Sequence, residues 1–214
     1  MTRSREELIR ELSAQAAVPS GMRSVEARAL RWMLAAAAVA LLGTVAGGPL
    51  HTGPFGRVIA MPTDAAALLL GVLVAVAAAM SAFRSAVPSN TPVIRHVSWP
   101  LLWLTGWLAL LAVAAQDAAP AATSHAKRAQ CWLEVLAISV PCLVLGLVTL
   151  RRLWPLHGAW TGAMIGLASG AIVAITMDLA CDPAASHSLF FHAAPGIGVS
   201  VLGAVVGARF LRRP

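Results

Sequence analysis

The chain has 214 residues, of which 58% are hydrophobic and 12% are charged, and its mean hydropathy is +0.77. A soluble domain of this length carries charged side chains at roughly a quarter of its positions. The composition therefore excludes a water-soluble globular protein and favours one surrounded by lipid. The formal net charge of +7 would suggest nucleic-acid binding in a soluble protein. Because the basic residues are scattered between apolar segments and form no basic stripe, we expect no direct contact with nucleic acid.

The first predicted element is a short helix in a polar tail, residues 1–28. Ser4 and Glu7 have the spacing of a capping box, which begins a helix. A helix this short is marginal in water by itself, so its apolar face needs a partner. The candidates are the bilayer surface, the protein's own loops and a groove on another protein. The apolar face consists of Leu8, Ile9 and Leu12.

Six apolar segments follow the tail. Each is close to the roughly 20 residues that a helix needs to cross a hydrocarbon core about 30 Å thick. They predict an all-α membrane protein, in which a six-transmembrane-helix bundle at 29–214 follows a short cytoplasmic amphipathic helix. The predicted spans are 30–49, 64–83, 98–116, 131–150, 158–180 and 195–211.

The lysines and arginines predict the orientation of the bundle, because short cytoplasmic loops carry an excess of them. With the N-terminus inside, thirteen arginines fall on the cytoplasmic side and only Arg57, Lys127 and Arg128 fall outside. Both termini are therefore expected in the cytoplasm. The cytoplasmic set is Arg3, Arg5, Arg10, Arg23, Arg28, Arg31, Arg84, Arg95, Arg151, Arg152, Arg209, Arg212 and Arg213.

Glycines recur at intervals of four in the last two spans. Small residues at this spacing let two helix backbones approach closely, and van der Waals packing drives helix association in lipid. We therefore predict a helix-packing seam. Its residues are Gly158, Gly162, Gly166 and Gly170 in the fifth span and Gly203 and Gly207 in the sixth.

Two of the three cysteines fall at one predicted membrane surface. Cys131 opens the fourth span and Cys181 follows the fifth, both on the outer side. There the thiols could form a disulfide, bind a soft metal ion with neighbouring carboxylates and imidazoles, or only pack as small apolar groups. Cys142, within the fourth span, is expected only to pack. The weaker candidates for such a site are Glu134, Asp178, Asp182 and, in the last outer loop, His187 and His192.

Catalytic signatures are not found. The sequence has no HExxH, no Walker-type loop and no GxSxG. Glu134 and Asp178 lie near the ends of their spans, whereas a proton relay needs charges deeper in the membrane. We therefore predict a protein that is not an enzyme and that requires no cofactor.

From Cys131 onwards the sequence resembles the negative-regulator-of-sigma-F family of integral membrane anti-sigma factors. The six-span layout is similar too, and the tail has the looser pattern of Leu8-Ile9 and Leu12 followed by Pro19. The resemblance therefore extends over nearly the whole chain. The matching positions are Cys131, Leu150-Arg151-Arg152, Pro155, Gly158-Ala159, Gly162, Cys181, Phe190, Gly203, Gly207, Arg209 and Leu211-Arg212.

The resemblance implies a multi-pass protein of the bacterial inner membrane. Such a protein holds an extracytoplasmic-function sigma factor inactive in the cytoplasm and releases it on heavy-metal or oxidative stress outside. It also implies that Cys131 and Cys181 are the sensing pair, with a soft metal ion as one signal, whereas Cys142 has no counterpart. Leu8, Ile9 and Leu12 are then the expected sigma-factor contacts.

Two other classes of function fit the same sequence. A small membrane transporter or metal-efflux accessory protein would use the outer cysteine, histidine and aspartate side chains to admit its substrate. A structural subunit of a larger membrane assembly would use the bundle only for packing. The sequence leaves the oligomeric state open.

Overall fold

The computed structural model of the protein describes residues 4–7, 11, 25–48, 58–87, 93–117, 130–153, 155–181 and 185–212. The described residues are almost entirely helical and include no strand. Six helices are long and apolar enough to cross a membrane, which confirms the predicted all-α fold. They are α1 (Val25–Ala46), α2 (Pro62–Ser85), α3 (Val93–Asp117), α4 (Cys131–Arg151), α5 (Gly158–Asp178) and α6 (Ala185–Phe210).

Four helices begin earlier than their predicted spans: α1, α2, α3 and α6. The first turn of α1, from Val25, contains the exposed Glu26, so a search for apolar segments misses it. Helix α6 begins at Ala185 rather than near residue 195, where Pro195 resembles a helix start. A π-helical segment, Ser188–Ala193, joins the first turn of α6 to its longer α-helical part. The chain from Ala185 to Phe210 is thus one continuous helix.

The capping box in the tail is confirmed. The backbone N–H of Ser4 donates to Glu7 Oε2, and the backbone N–H of Glu7 donates to Ser4 Oγ, both at 3.2 Å. This reciprocal pair begins a helical turn at 5–7. The predicted sigma-factor contacts, Leu8, Ile9 and Leu12, lie outside the described residues.

Helix α5 is the central helix of the bundle. It packs against α1, α2, α4 and, most extensively, α6. Of its most apolar stretch 67% is buried within the protein, whereas the other five helices bury between 22% and 44%. The outer helices therefore present much of their surface to lipid, and α5 contacts mainly other helices. Because α5 touches four of the other long helices, a displacement of α5 acts directly on each of them.

Glycines make the contact between α5 and α6 a close one. A Cβ atom at Gly166 would lie 2.5 Å from the backbone oxygen of Val199, and one at Gly158 would lie 2.6 Å from that of Gly207. Real Cβ contacts essentially never come closer than 3.0 Å. The two backbones therefore touch directly, as in other small-residue helix pairs. Gly196 of α6, facing Gly170, extends this seam beyond the glycines considered from the sequence.

Polar contacts tie the helices together at one end of the bundle, which we call the basic end. Arg84 of α2 lies 3.3 Å from Glu26 of α1, and both side chains are more than half exposed. The Arg151 guanidinium lies 4.6 Å above the ring of Phe210, which connects α4 with α6. Because α4 runs from Cys131 to Arg151, its first residue lies at the opposite end.

Candidate functional site

At the end of the bundle opposite the basic end, the structure brings two cysteines together. Cys131 is the first residue of α4, and Cys181 follows the C-terminus of α5. Their Sγ atoms are 3.5 Å apart, and the two residues are only 1% and 4% exposed. No disulfide joins them. The pair is therefore buried and close enough for the two sulfurs to share a ligand.

Two histidines of α6 complete a cluster around the thiols. One ligand atom from each of the four side chains lies within 4.8 Å of all the others. Three of the four residues are buried, and His187 is half-buried. We call this set the thiol–imidazole cluster; it consists of Cys131, Cys181, His187 and His192.

The π-helical segment explains how both histidines reach the cluster. His187 and His192 are five residues apart, and on a regular α-helix this spacing separates two side chains by about 140°. A π-helix repeats its hydrogen bonds at five residues, so residues five apart lie nearly above one another. The segment Ser188–Ala193 therefore turns both imidazoles to the same side. π-Helical turns of this kind are frequent at functional sites.

Asp178 fixes the orientation of His192. Its Oδ1 atom lies 2.5 Å from Nδ1 of His192, whose side chain is fully buried. A carboxylate accepts a hydrogen bond, so Nδ1 carries a proton, and in the neutral imidazole Nε2 has the lone pair that can bind a ligand. Among the described residues, Nε2 of His192 has no hydrogen-bond partner, and the same holds for Nε2 of His187.

Neighbouring rings hold His187 in place. Its imidazole stacks on Phe191, with centroids 4.7 Å apart and planes 13° from parallel. It also meets the His192 ring edge-on at a centroid distance of 5.0 Å. These contacts restrict the imidazole to few orientations. The second nitrogen ligand of the cluster is thus positioned without a hydrogen bond to Nε2.

The comparison with protein families decides the identity of the chain. The family described as negative regulator of sigma F matches residues 12–212, a range that includes the whole thiol–imidazole cluster. The chain belongs to this family. It matches none of the curated proteins and none of the solved structures that were compared with it.

Membership of the negative-regulator-of-sigma-F family gives the protein its general role. The family acts on a sigma factor, so a sigma factor is the expected partner, and the role is that of an anti-sigma factor. The six apolar helices make it a multi-pass membrane protein. The matched range begins in the tail at Leu12, so Leu8 and Ile9 precede it.

The other candidate residues of this family member have different positions. Asp178 contacts His192 and is not itself within the cluster, and Glu134 is not among the clustered ligands either. Asp182 lies outside the described residues. The thiol of Cys142 lies within the bundle, 3.4 Å from the backbone oxygen of Ile138 and 3.6 Å from that of Ala36.

Sequence reasoning placed the two histidines incorrectly, in a loop. Both belong to helix α6, because the helix starts at Ala185 and continues through the π-helical segment. The sequence feature that indicates this site is the pair of metal-binding side chains, His187 and His192, within a dozen residues after Cys181. Because the two histidines are five residues apart, they would not share a face of a regular α-helix. The sequence therefore did not favour them over Glu134 or Asp178 as site residues.

Proposed function

We propose that the protein is an anti-sigma factor of the bacterial inner membrane that binds an extracytoplasmic-function sigma factor through its cytoplasmic tail. In this proposal it releases the sigma factor when a heavy metal or an oxidant acts on Cys131 and Cys181 at the outer surface. The observation that carries the proposal is the family match over residues 12–212.

The distribution of charge supports the orientation that the proposal needs. Thirteen of the sixteen lysines and arginines belong to the tail, to the C-terminus or to the loops on their side of the membrane. By the positive-inside rule this side is cytoplasmic. The tail then meets a cytoplasmic sigma factor, and the thiol–imidazole cluster faces the oxidising compartment outside.

The tail has the features of a helix that binds in a groove. Its capping box starts a helix, and Leu8, Ile9 and Leu12 follow with helical spacing. A single short turn gains little stability by itself, so burial against a partner would stabilise it. Because the side chain at each of these positions is aliphatic, the complementary surface on the sigma factor is expected to be an apolar groove.

Helix α5 is the most direct connection between the two ends. It ends at Asp178, next to the cluster, and begins at Gly158, next to Gly207 near the C-terminus. A signal can shift the protein only if it favours one arrangement of the helices over another. The contact with α6 is made largely by backbone atoms at the glycines, and the Ser200 hydroxyl donates to the backbone oxygen of Ala163 across it, so a displacement of α5 is expected to displace α6 as well.

The proposal is tested by co-purification of the full-length protein with the sigma factors of its cell. Burial of one aliphatic side chain contributes about 1.5–3 kcal/mol. Replacing Leu8, Ile9 and Leu12 together by serine should therefore weaken retention of the sigma factor by at least ~100-fold. In the cell, the released sigma factor should activate its target genes.

A matched control replaces two polar residues of the same tail, Ser13→Ala and Gln15→Ala, and should retain the sigma factor. Unchanged co-purification of the serine variant would exclude the tail as the binding segment. If no sigma factor co-purifies with the unmodified protein, the proposed function is wrong.

A further inference from the structure

We propose that the thiol–imidazole cluster is a binding site for one divalent metal ion of the zinc and cadmium class. Two thiolates and two imidazoles supply the four ligands, and Asp178 is a positioning residue for one of the imidazoles. The site follows from the arrangement and chemistry of its own side chains, whereas its meaning as the signal of an anti-sigma factor rests on the proposed function.

The distances fit tetrahedral coordination. Zinc binds thiolate sulfur at about 2.3 Å and imidazole nitrogen at about 2.0–2.1 Å, so the edges of the tetrahedron are about 3.3–3.8 Å. The two sulfurs, 3.5 Å apart, already lie near this separation. The widest separation in the cluster, 4.8 Å, would have to shorten by about 1 Å. Metal binding therefore requires the cluster to contract by about this amount at its widest point.

The unpartnered nitrogens point to a ligand. A buried polar atom without a hydrogen bond costs about 1–3 kcal/mol, and such atoms are rare in folded proteins. Here Nε2 of His187 and Nε2 of His192 are both buried and have no hydrogen bond of normal geometry among the described residues, and both imidazoles interact with the Cys131 thiol. Both belong to the cluster, where a bound cation would satisfy them together.

The contact between Asp178 and His192 is the outer-shell arrangement typical of metal-binding histidines. Such a histidine usually donates its other ring N–H to a carboxylate, which fixes the tautomer and makes the free nitrogen more basic. Asp178 accepts from Nδ1 and leaves Nε2 for the metal ion. Together with the Nε2 atoms that no described group satisfies, this contact favours metal binding over simple packing.

The charge balance also fits a buried site. Binding converts two thiols to thiolates, and the two protons leave for solvent. Two thiolates and two neutral imidazoles around a divalent cation give a first coordination shell with no net charge, and the Asp178 carboxylate beside it is partly exposed to solvent. A neutral complex avoids the large cost of placing an isolated charge beside Cys131, Cys181 and His192, which are 0–4% exposed.

Other ligands explain less of the cluster. Magnesium and calcium require oxygen ligands, and all four clustered atoms are sulfur or nitrogen. A disulfide between Cys131 and Cys181 would leave both imidazole nitrogens without a partner. Two sulfur and two nitrogen ligands in a closed tetrahedral set are typical of zinc.

The test uses the full-length protein in detergent, with its thiols reduced, and Co²⁺ alone as the probe. We expect one equivalent of Co²⁺ to give the visible absorption of a tetrahedral ion together with thiolate-to-metal charge transfer, and Zn²⁺ to displace it. Cys131→Ser, Cys181→Ser and His192→Ala should each abolish this spectrum. Cys142→Ser and His157→Ala remove a thiol and an imidazole outside the cluster, so these controls should leave it unchanged.

Asp178 is tested by graded substitution. Loss of an outer-shell partner weakens metal affinity about 10–100-fold. Asp178→Ala should fall at the weak end of this range, and Asp178→Asn, which keeps an oxygen acceptor for Nδ1, should recover part of the loss. Equal affinities for both variants and the unmodified protein would exclude the positioning role.

X-ray absorption at the zinc edge of the unmodified protein gives a result that does not depend on folding of a variant. Two sulfur and two nitrogen neighbours are expected. Absence of a tetrahedral Co²⁺ spectrum from the reduced protein, or a site with sulfur ligands alone, would overturn the inference. Sigma-factor retention on the same preparation separates the two proposals: retention without metal binding refutes only the metal site, and metal binding without retention refutes only the anti-sigma function.

Discussion

Two residues at the cluster end illustrate how one polar contact can serve two purposes. Asp178 stabilises the buried imidazole of His192 through the hydrogen bond to Nδ1, and the same bond leaves Nε2 available. The carboxylate itself is 24% exposed, so it keeps part of its hydration. The contact therefore fixes one orientation of the His192 ring and directs Nε2 toward the two thiols as a ligand atom.

Serine substitution of the two clustered cysteines tests sensing in the cell. A hydroxyl is nearly the same size as a thiol, but it cannot form a disulfide and is a poor ligand for soft metals. In the Cys131→Ser, Cys181→Ser double variant, we expect transcription from the sigma-dependent promoter to stay constant when a cadmium salt or a thiol oxidant is added. A promoter fusion read before and after each addition measures this response.

Cys142→Ser provides the control for the double variant. The Cys142 thiol lies 3.4 Å from the carbonyl oxygen of Ile138 within α4, and a serine hydroxyl makes the same contact with the previous turn. This variant should respond like the unmodified protein. A normal response in the double variant would show that the signal is sensed elsewhere.

Among the helices, the feature that the sequence does not predict is the π-helical segment of α6. Hydropathy and the proline at 195 suggest a helix start there, and nothing in the segment Ser188–Ala193 marks a wider turn. The segment packs against α3, α4 and α5, which are distant in sequence, so a local pattern does not reveal these contacts. The cysteines could be placed from span ends alone, whereas the convergence of His187 with them depends on this tertiary packing.

The seam between α5 and α6 gives a prediction about stability. A Cβ at Gly162 would collide with the backbone oxygen of Gly203 and lie 2.9 Å from Cα of Gly207. Because backbone atoms cannot rotate away, Gly162→Ala should separate the helices and lower the free energy of unfolding by about 1–3 kcal/mol. Thermal unfolding in detergent, followed by circular dichroism, measures the change.

Gly198, on the face of α6 turned away from the seam, provides a matched control. It also lies within a helix, α6, but a Cβ there would have no atom within 4 Å. Gly198→Ala should therefore leave stability unchanged or raise it by up to about 1 kcal/mol, since alanine is the better helix former. Equal effects of the two substitutions would mean that helix propensity, rather than close packing, governs this seam.

For the whole molecule, hydropathy is sufficient to predict six membrane-spanning helices, because each span must bury its own backbone polar groups. The arrangement of the helices is harder to predict. The central position of α5 depends on small residues that carry little hydropathy signal, and their importance appears only when a second glycine-rich helix lies against them. Loop charges, by contrast, act independently of packing, so they still predict the orientation.

This orientation is tested by fusing alkaline phosphatase to the chain at points within successive loops. The enzyme is active only outside the cytoplasm. Fusions that end at Ala121, before α4, should be active, and those that end at Asn90, His157 or Pro214 should be inactive. Fluorescent-protein fusions at the same positions should show the opposite pattern. The physical reason is the excess of arginine on the side of the tail, thirteen residues against three.

The fusion after Ala121 is the most informative about the cluster. Cys131 begins α4 shortly after this fusion point, so it lies on the same side of the membrane as Ala121. Activity there places the whole thiol–imidazole cluster outside, since its four ligand atoms lie within 4.8 Å of one another. An inactive fusion at this position would put the cluster in the cytoplasm, where glutathione keeps thiols reduced. Metal binding at the four ligands would be unaffected, but the tail, which three spans separate from Cys131, would then lie outside the cytoplasm, and a sigma-factor contact through the tail would be excluded.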